Sequence, residues 1–210
     1  MLRESRRTLL VLFITFLIVF EMIAYIATTP KQQGQYFQLY LLGAKGTVAD
    51  YYPNNDTTIA INESVQWYLS VQNSMGSVQL VEIRMKLGNQ TIPAPGGANI
   101  SSSAPEIASF YRFVQDNETW NVPLYWSIAK TIASSNATQI TQMQVDNETY
   151  NVRALARKGV NFRIIIELWT FNENSNAFQY GWTAGSDHQA AWLQVWFNVT
   201  ATAPPIQSAR

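Results

Sequence analysis

The first pattern in the chain is a long apolar run near its N-terminus. Residues 9–27 read LLVLFITFLIVFEMIAYIA and contain a single charged residue, Glu21. At about 1.5 Å per residue, a helix of this length extends roughly 28 Å, which is close to the hydrocarbon thickness of a bilayer. The run therefore predicts a single transmembrane helix, preceded by a cytoplasmic stub, within residues 1–29.

The charges on either side of this run predict its orientation. Arg3, Arg6 and Arg7 precede it, whereas Lys31 is the basic residue that follows it. Because positive charge is enriched on the cytoplasmic side of membrane helices, we expect the N-terminus in the cytoplasm and the C-terminal domain outside the cell. Two alternatives stay open: a cleaved secretory signal has the same order of charges, and so does a pilin-like filament subunit whose helix forms the filament core.

Glu21 indicates that this helix has a partner in the membrane. A charge near the bilayer centre costs roughly 2.5–3.5 kcal/mol. Leu17, Glu21, Ala24 and Thr28 follow spacings of four, three and four residues and therefore share one helix face. Small and polar side chains allow membrane helices to approach and form hydrogen bonds. We predict that this face contacts another membrane protein; the alternative is a protonated or snorkelling Glu21 without such a partner.

After a short polar linker at residues 30–35, the pattern changes to many short strand-like segments. They are bounded by clusters rich in Asn, Asp, Gly, Pro and Ser, which is typical of a mainly β fold. Strands are predicted at 36–42, 58–61, 64–72, 78–87, 107–114, 122–132, 139–145, 150–154, 160–171 and 190–201, with a short helix as the alternative at 107–115. Such a series predicts a sandwich or a barrel, and we favour an Ig-like β-sandwich over residues 36–201 with a flexible tail at 202–210.

Alternation along these strands assigns their faces, because successive side chains point to opposite sides. In the segment 78–87, Glu82, Arg84 and Lys86 share one side and apolar residues share the other. The segment 160–171 is apolar on both sides. It is therefore predicted to be a central strand.

The last predicted strand carries a candidate interaction surface. Trp192 and Trp196 share one side with Asn198. If Asn198 carries a glycan, that side is exposed, and exposed tryptophans often mark sites of contact with a partner. The alternative is that a loop or a second sheet covers them.

The composition favours a location outside the cell. Charged residues make up 13% of the chain, about half of the usual share. Half of the 16 asparagines lie in Asn-x-Ser/Thr triplets, all of which follow the apolar run. Such triplets are acceptors for N-linked glycans on exported domains. The predicted attachment sites are Asn55, Asn62, Asn89, Asn99, Asn117, Asn136, Asn147 and Asn198.

The composition also argues against several classes of function. The chain has no cysteine and a single histidine, His188, so disulfides, thiolate sites and transition-metal sites are not expected. The net charge of zero argues against nucleic-acid binding. Ser186 and Asp187 directly precede His188, and three consecutive residues lack the convergent geometry of a catalytic triad. We predict no enzyme activity, no metal and no cofactor.

Two sets of charged residues remain to be placed. Glu167 lies inside an apolar strand, and a buried carboxylate there requires a partner. Its candidate partners are Arg84, Arg112 and Arg163. A basic cluster within residues 153–163 is either a solvated edge or a contact for anionic glycans or lipid headgroups. The cluster consists of Arg153, Arg157, Lys158 and Arg163.

Four segments together resemble a known family. They are YFQLYLLG at 36–43, DNETWNVPL at 116–124, NFRIIIELW at 161–169 and WLQVWFNVT at 192–200. In these segments the chain resembles the archaeal "domain of unknown function 1616" family. The resemblance implies a membrane-anchored archaeal envelope protein, and it implies neither an activity nor catalytic residues.

These observations together predict a single-pass, N-glycosylated archaeal cell-surface protein. It is expected to be an accessory or structural subunit of an envelope or membrane protein complex. The alternatives are the pilin-like filament subunit and a sugar-binding surface module.

Overall fold

The computed structural model describes residues 2–28, 34–97 and 99–200. They fall into two compact units, Met1–Gly34 and Gln35–Arg210, and each unit is described by itself. The predicted linker lies largely, and the predicted tail wholly, outside the described residues.

The first unit contains one helix, α1 (Leu2–Thr28). Its segment Leu9–Ile26 is long and apolar enough to cross a membrane, and none of it is buried. The hydroxyls of Thr15 and Thr28 donate to the carbonyls four residues earlier, at 2.9 and 2.7 Å. These two hydroxyls are therefore satisfied within the helix, an arrangement suited to an environment without water. A signal sequence meets the same criteria of length and composition.

The second unit contains two large sheets, and the first of them is antiparallel throughout. Its strands are β1 (Tyr36–Leu42), β3 (Val65–Ser74), β6 (Thr119–Ala133), β7 (Ala137–Val145) and β8 (Glu148–Arg157). In this sheet, called sheet 1, they lie in the order β1-β3-β6-β7-β8. The pairing of β6 with β7 shifts its register on both sides of Lys130, as at a β-bulge.

The second sheet combines strands from both halves of the unit. Its strands are β2 (Thr58–Ala60), β4 (Gln79–Asn89), β5 (Glu106–Val114), β9 (Phe162–Asn172), β10 (Ala177–Tyr180) and β13 (Trp192–Thr200). In this sheet, called sheet 2, the order is β2-β13-β9-β4-β5, with β10 also paired to β9 and β2 parallel to β13. A small hairpin of β11 (Trp182–Ala184) and β12 (Asp187–Gln189) precedes β13.

The two sheets pack face to face around one hydrophobic core. Trp67 and Trp126 of sheet 1 lie with ring centroids 5.1 Å apart, and Trp126 lies 5.2 Å from Phe197 of sheet 2. Phe197 in turn stacks on Phe162 at 5.7 Å. This aromatic column joins both sheets, since all four side chains are fully buried.

This architecture confirms the predicted mainly β fold with a β-sandwich. The two packed sheets with crossovers between them are immunoglobulin-like rather than a closed barrel. The short helix considered at 107–115 is wrong, because these residues form β5 and pair with β4. β9 lies between β4 and β13 and is central, as predicted. The short strands β10, β11 and β12 were not predicted.

The sandwich has two ends, which are defined by the strand ends and turns that lie there. At one end, called the N-terminal end, β1 begins opposite Ser74, and Asn117 N donates to Asn73 O at 2.7 Å. At the other end, called the distal end, Lys158 N donates to Asn136 O at 3.1 Å. β6 runs between them, so its length separates the two ends by about 45 Å.

Candidate functional site

The outer face of sheet 2 points away from the core. It carries a buried ion pair, a second buried cation and several exposed aromatic side chains. The register of β4 against β9 places Glu82 opposite Trp169 and Arg84 opposite Glu167. Because the core faces the other side of these strands, this outer surface needs its own cover or remains open. It divides into a covered half and an open half.

A buried ion pair lies in the covered half. Lys86 Nζ is 2.9 Å from Glu167 Oε2, and neither side chain is more than 7% exposed. Ser102 N donates to Glu167 Oε1 at 2.6 Å, Trp169 Nε1 donates to Oε2 at 3.0 Å, and Lys86 Nζ donates to Ser102 O at 2.8 Å. The carboxylate is thus satisfied on both oxygens, which offsets the cost of removing it from water. Its partner is Lys86 rather than any of the three predicted arginines.

Arg163 is the second buried cation of this half. Its Nη1 donates to Gln194 Oε1 at 2.8 Å, its Nη2 donates to Ile92 O, and its Nε has no partner among the described residues. The guanidinium also lies 5.0 Å from the ring centroid of Trp196. Burial lowers the pKa of Arg163. Arg163 is therefore not part of an exposed basic cluster, contrary to the prediction.

These contacts explain how the loop between β4 and β5 is held. Ser102 and Ile92 both belong to this loop, called the covering loop (residues 90–105, of which Ala98 lies outside the description). Lys86, Glu167 and Arg163 each bond its backbone. The loop therefore closes one half of the outer face and serves a structural role there.

The open half is an aromatic groove at the edge of the sheet. Tyr111 and Phe113 of β5 are 71% and 63% exposed. With Leu80 of β4 and Phe178 of β10 they line a groove of about 610 Å³, called the aromatic groove. β5 is an edge strand of sheet 2, so the groove has an exposed strand edge beside it. Exposed apolar surface next to a strand edge is typical of a contact site for a partner.

A charged pair borders the aromatic groove. The Arg84 guanidinium lies 3.8 Å from the ring centroid of Trp169 and 2.7 Å from Glu82 Oε2. Arg84 Nε is also 3.5 Å from Glu106 Oε2. The guanidinium is held in place from several sides, which fixes the polar border of an otherwise apolar surface.

Tyr180 is a buried polar group near this border. Its ring lies 5.8 Å from the ring of Trp169, and its hydroxyl has no partner among the described residues. Burial, together with the charge of Glu167, raises the pKa of Tyr180.

The predicted tryptophan surface lies on the same outer face, beyond the covering loop. Trp196 is 37% exposed, and Trp192 is half-buried. Tyr52 OH donates to the carbonyl of Trp196, and burial raises the pKa of Tyr52 to about 12. Asn198 is half-buried, and its Oδ1 accepts from Asn161 N at 3.0 Å.

The glycosylation triplets differ in accessibility. Six of the asparagines are exposed, and Asn89 and Asn198 are half-buried. Asn89 Nδ2 donates to Leu155 O at 2.6 Å while its Oδ1 accepts from Thr91 Oγ1 at 2.7 Å, so both ends of this amide are engaged. The exposed sites are Asn55, Asn62, Asn99, Asn117, Asn136 and Asn147.

The predicted membrane-partner residues all lie on α1. Leu17, Glu21 and Thr28 are exposed, and Ala24 is half-buried. Thr28 Oγ1 donates to Ala24 O at 2.7 Å, so this hydroxyl is engaged within the helix.

The residues considered for catalysis are used in local structure. His188 Nε2 lies 2.7 Å from Tyr180 O, and Ser186 Oγ donates to Asp187 Oδ1 at 3.3 Å. Within the described residues no group of three or more His, Cys, Asp or Glu side chains is placed to hold a metal ion.

The aromatic groove was not predicted from the sequence. Its signal is the alternation Ser109, Tyr111, Phe113, in which large aromatics occupy one side of β5. Without the pairing of β5 to β4, that side cannot be distinguished from a core-facing side.

No family model matches the chain, and no curated protein matches it either. Several solved structures show a distant likeness at 9–10% identity. A CARDB domain of the PF1109 protein from Pyrococcus furiosus, in complex with di-metal ions, aligns over 80% of this chain and 90% of its own, with a TM-score of 0.35. The sporulation control protein Spo0M from Bacillus subtilis aligns over 79% and 50%, also with a TM-score of 0.35. A beta-glucosidase from Listeria innocua aligns over 57% and 16%, with a TM-score of 0.32.

Proposed function

We propose that the protein is a membrane-anchored surface subunit whose β-sandwich lies outside the cell and contacts other subunits of an envelope complex. The observation that carries this proposal is the helix segment Leu9–Ile26, which is long and predominantly apolar and is unburied. A helix of this kind is stable where no water competes for its surface. The basic residues before it favour a cytoplasmic N-terminus.

The positions of the glycosylation triplets support an external sandwich. β1 begins at the N-terminal end, and Asn117 alone of the eight triplet asparagines lies in a turn at that end. The remaining triplets lie farther along the sandwich or on the covering loop, and six of the eight are exposed. Glycans on these sites would cover the sandwich away from the end at which β1 begins. We propose occupancy of the exposed sites and no occupancy of Asn89, whose amide is engaged at both ends.

The archaeal origin and the resemblance to the envelope family belong to the same proposal. A secretory signal and a filament subunit are the competing assignments for α1. N-terminal sequencing of protein extracted from membranes separates them. We expect an unprocessed N-terminus; removal of the apolar run would favour secretion, and cleavage near Thr8 would favour a filament.

The aromatic groove is the surface that we assign to the protein partner. Tyr111 and Phe113 expose two rings beside a free strand edge, and Arg84 supplies a fixed cation at the border. Aromatic residues and arginine dominate the binding energy of many interfaces. A protein surface that buries these rings explains their exposure better than a single sugar ring, which covers one aromatic platform.

Replacement of both rings tests this contact. Tyr111→Ser/Phe113→Ser is expected to lose at least tenfold of the proteins that co-purify with the chain after extraction in mild detergent. The control is Tyr125→Ser, which removes an aromatic side chain that is 46% exposed on the other sheet. Unchanged co-purification by the double variant, or an equal loss by the control, would contradict the assigned surface.

The face of α1 that contains Glu21 is assigned to a contact within the membrane. Glu21→Leu is expected to reduce recovery of a membrane-embedded partner, because a hydrogen-bonding carboxyl is lost. Met22→Leu is the control, since it changes a neighbouring residue of another face. If Glu21→Leu retains the same membrane partners as the unchanged chain, this contact is wrong.

A further inference from the structure

The basic residues of the second unit divide into those with partners and those without. Four of the described ones lie in ion pairs, and Arg163 is buried. The paired residues are Lys45, Arg84, Lys86 and Arg112. The remaining described cations have exposed side chains without an ion pair or hydrogen bond to any described residue. They are Lys130, Arg153, Arg157 and Lys158, called the cationic edge.

All four members of the cationic edge belong to the same part of sheet 1. Arg153 and Arg157 alternate with buried alanines on β8, so they share its outer side at a separation of about 13 Å. Lys130 of β6 pairs with Gln142, which in turn pairs with Asn151, two residues before Arg153. β8 is an edge strand of the sheet, and β7 is its described neighbour. Arg153 and Arg157 therefore lie along a free edge, Lys158 follows in the turn after β8, and Lys130 lies two strands inside that edge, about 10 Å across the sheet.

The strip also has an apolar element and an unusual backbone position. Leu155 lies between the two arginines on the same side and is 54% exposed. Lys158 has a φ of +50°, in the left-handed region that favours Gly and Asn. A lysine at such a position places its charge at the turn despite the unfavourable backbone conformation.

No described carboxylate forms an ion pair with a member of the strip. Glu148, at the other end of β8, is separated from Arg153 by about 16 Å along the strand. Asp146 is engaged with Tyr125 N at 3.0 Å. In a chain with a net charge of zero and 13% charged residues, four unpaired cations on one edge are a concentrated positive field.

We propose that the cationic edge binds an anionic polysaccharide, one that carries carboxylate or sulfate groups. The charge complements the strip, the spacing of the arginines accommodates a chain of several sugars, and Leu155 offers an apolar contact to the face of a sugar ring. The inference rests on the proposed external location of the sandwich.

The test uses the full chain, produced without glycosylation and held in nanodiscs of zwitterionic lipid. Its binding to immobilised polygalacturonate and dextran sulfate is compared with its binding to neutral dextran. We expect binding to both charged polymers, and a tenfold or greater loss in Arg153→Gln/Arg157→Gln. Raising the salt concentration from 50 to 200 mM is expected to weaken binding by roughly ten- to a hundredfold, as for other contacts to polyanions.

The matched control removes two exposed cations from elsewhere. Lys45→Gln/Arg112→Gln has the same change in net charge and is expected to bind like the unchanged chain. Equal losses in both double variants, or equal binding to neutral dextran, would overturn the proposal. Tighter binding to anionic lipid vesicles than to either charged polysaccharide would also overturn it.

Because this binding is measured with purified protein, its failure leaves the location of the sandwich untouched. A cytoplasmic sandwich found in intact cells would instead defeat the proposed function.

Discussion

Glu167 has the most demanding environment of the carboxylates in the second unit. It is fully buried, yet its two oxygens accept from Lys86, Ser102 N and Trp169 Nε1 at 2.6–3.0 Å. Removing a charge from water costs several kcal/mol, and only such complete bonding offsets that cost. The pair is consequently expected to be sensitive to the loss of one member and tolerant of the loss of both.

Glu167→Gln is expected to lower the free energy of unfolding by about 3–5 kcal/mol, because Lys86 is left buried without a counter-charge. Lys86→Met/Glu167→Leu is expected to recover much of that loss. The measurement is urea unfolding of the full chain in detergent. Arg112→Gln, which breaks an exposed pair, serves as control and is expected to cost less than about 1 kcal/mol. A Glu167→Gln loss no larger than this control would show that the pair is not buried.

Two tyrosines with raised pKa values are expected to make the folded state less stable at alkaline pH. Burial raises the pKa of Tyr52 to about 12 and raises that of Tyr180 above its usual value of 10 as well. Their neutral forms are favoured in the folded state, so this contribution to stability is complete below pH 10 and is lost as the pH rises towards 12. In a titration followed by tyrosinate absorbance, Tyr52 and Tyr180 are expected to ionise above pH 10.

Tyr52→Phe/Tyr180→Phe provides the check on this pH dependence. The free energy of unfolding of this variant is expected to fall less steeply between pH 10 and pH 12 than that of the unchanged chain. Parallel curves for the two proteins would mean that neither phenol is shifted by burial.

At the scale of single residues, the sequence indicates that Glu167 needs a partner, but it does not indicate which residue that partner is. Arg84 lies directly opposite Glu167 across the strands, yet its guanidinium turns to Glu82 and Trp169. Lys86, two residues further along β4, reaches the carboxylate diagonally. Side-chain direction and the position of the covering loop decide the pairing, and neither follows from alternation along one strand.

The turn between β10 and β11 depends on a single glycine. Gly181 has a φ of +76°, and a Cβ at this position would lie 2.0 Å from Gln189 O. The chain can therefore pass this point only without a side chain, because the opposing atom belongs to the backbone.

Gly181→Ala is expected to lower the free energy of unfolding by more than ~2 kcal/mol, since the backbone at Gln189 must shift. Gly46→Ala is the matched control: its φ is +70°, but nothing lies within 4 Å of the added Cβ. Its expected cost is about 1 kcal/mol, the penalty for positive φ alone. If the two variants lose the same free energy of unfolding in urea, the close approach of Gly181 to Gln189 O adds no cost.

The elements of the sandwich differ in how well the sequence predicts them. β1 and β9 carry dense aliphatic and aromatic residues, and their predicted positions agree closely with the structure. β10, β11 and β12 have three or four residues each and lie among glycines and polar residues, so no periodicity develops. The covering loop was missed for another reason, since its bonds are to charged groups of distant strands.

At the scale of the whole molecule, two units have opposite requirements. The segment Leu9–Ile26 exposes a predominantly apolar surface, whereas the sandwich packs most of its large apolar residues between two sheets. The aromatic groove lies on sheet 2, and the cationic edge lies on sheet 1. We assign the groove to a protein partner and the cationic edge to a glycan.

The sequence predicts this division into an apolar helix and a β domain because each depends on local periodicity. The functional surfaces depend instead on which strands become edges. β5 and β8 both end up at sheet edges, with Tyr111 and Arg153 exposed on them. Strand order is a property of long-range pairing, which a single sequence does not reveal.

The external location of the sandwich is tested most directly by the accessibility of single cysteines in intact cells. Because the chain has no cysteine, Ser5→Cys and Ser175→Cys each introduce one unique thiol, the first before the apolar run and the second in the exposed turn after β9. With a membrane-impermeant maleimide, we expect Ser175→Cys to be labelled in intact cells and Ser5→Cys to be labelled only after the cells are lysed. Labelling of Ser5→Cys but not Ser175→Cys in intact cells, or protection of both, would contradict an external sandwich on a membrane anchor.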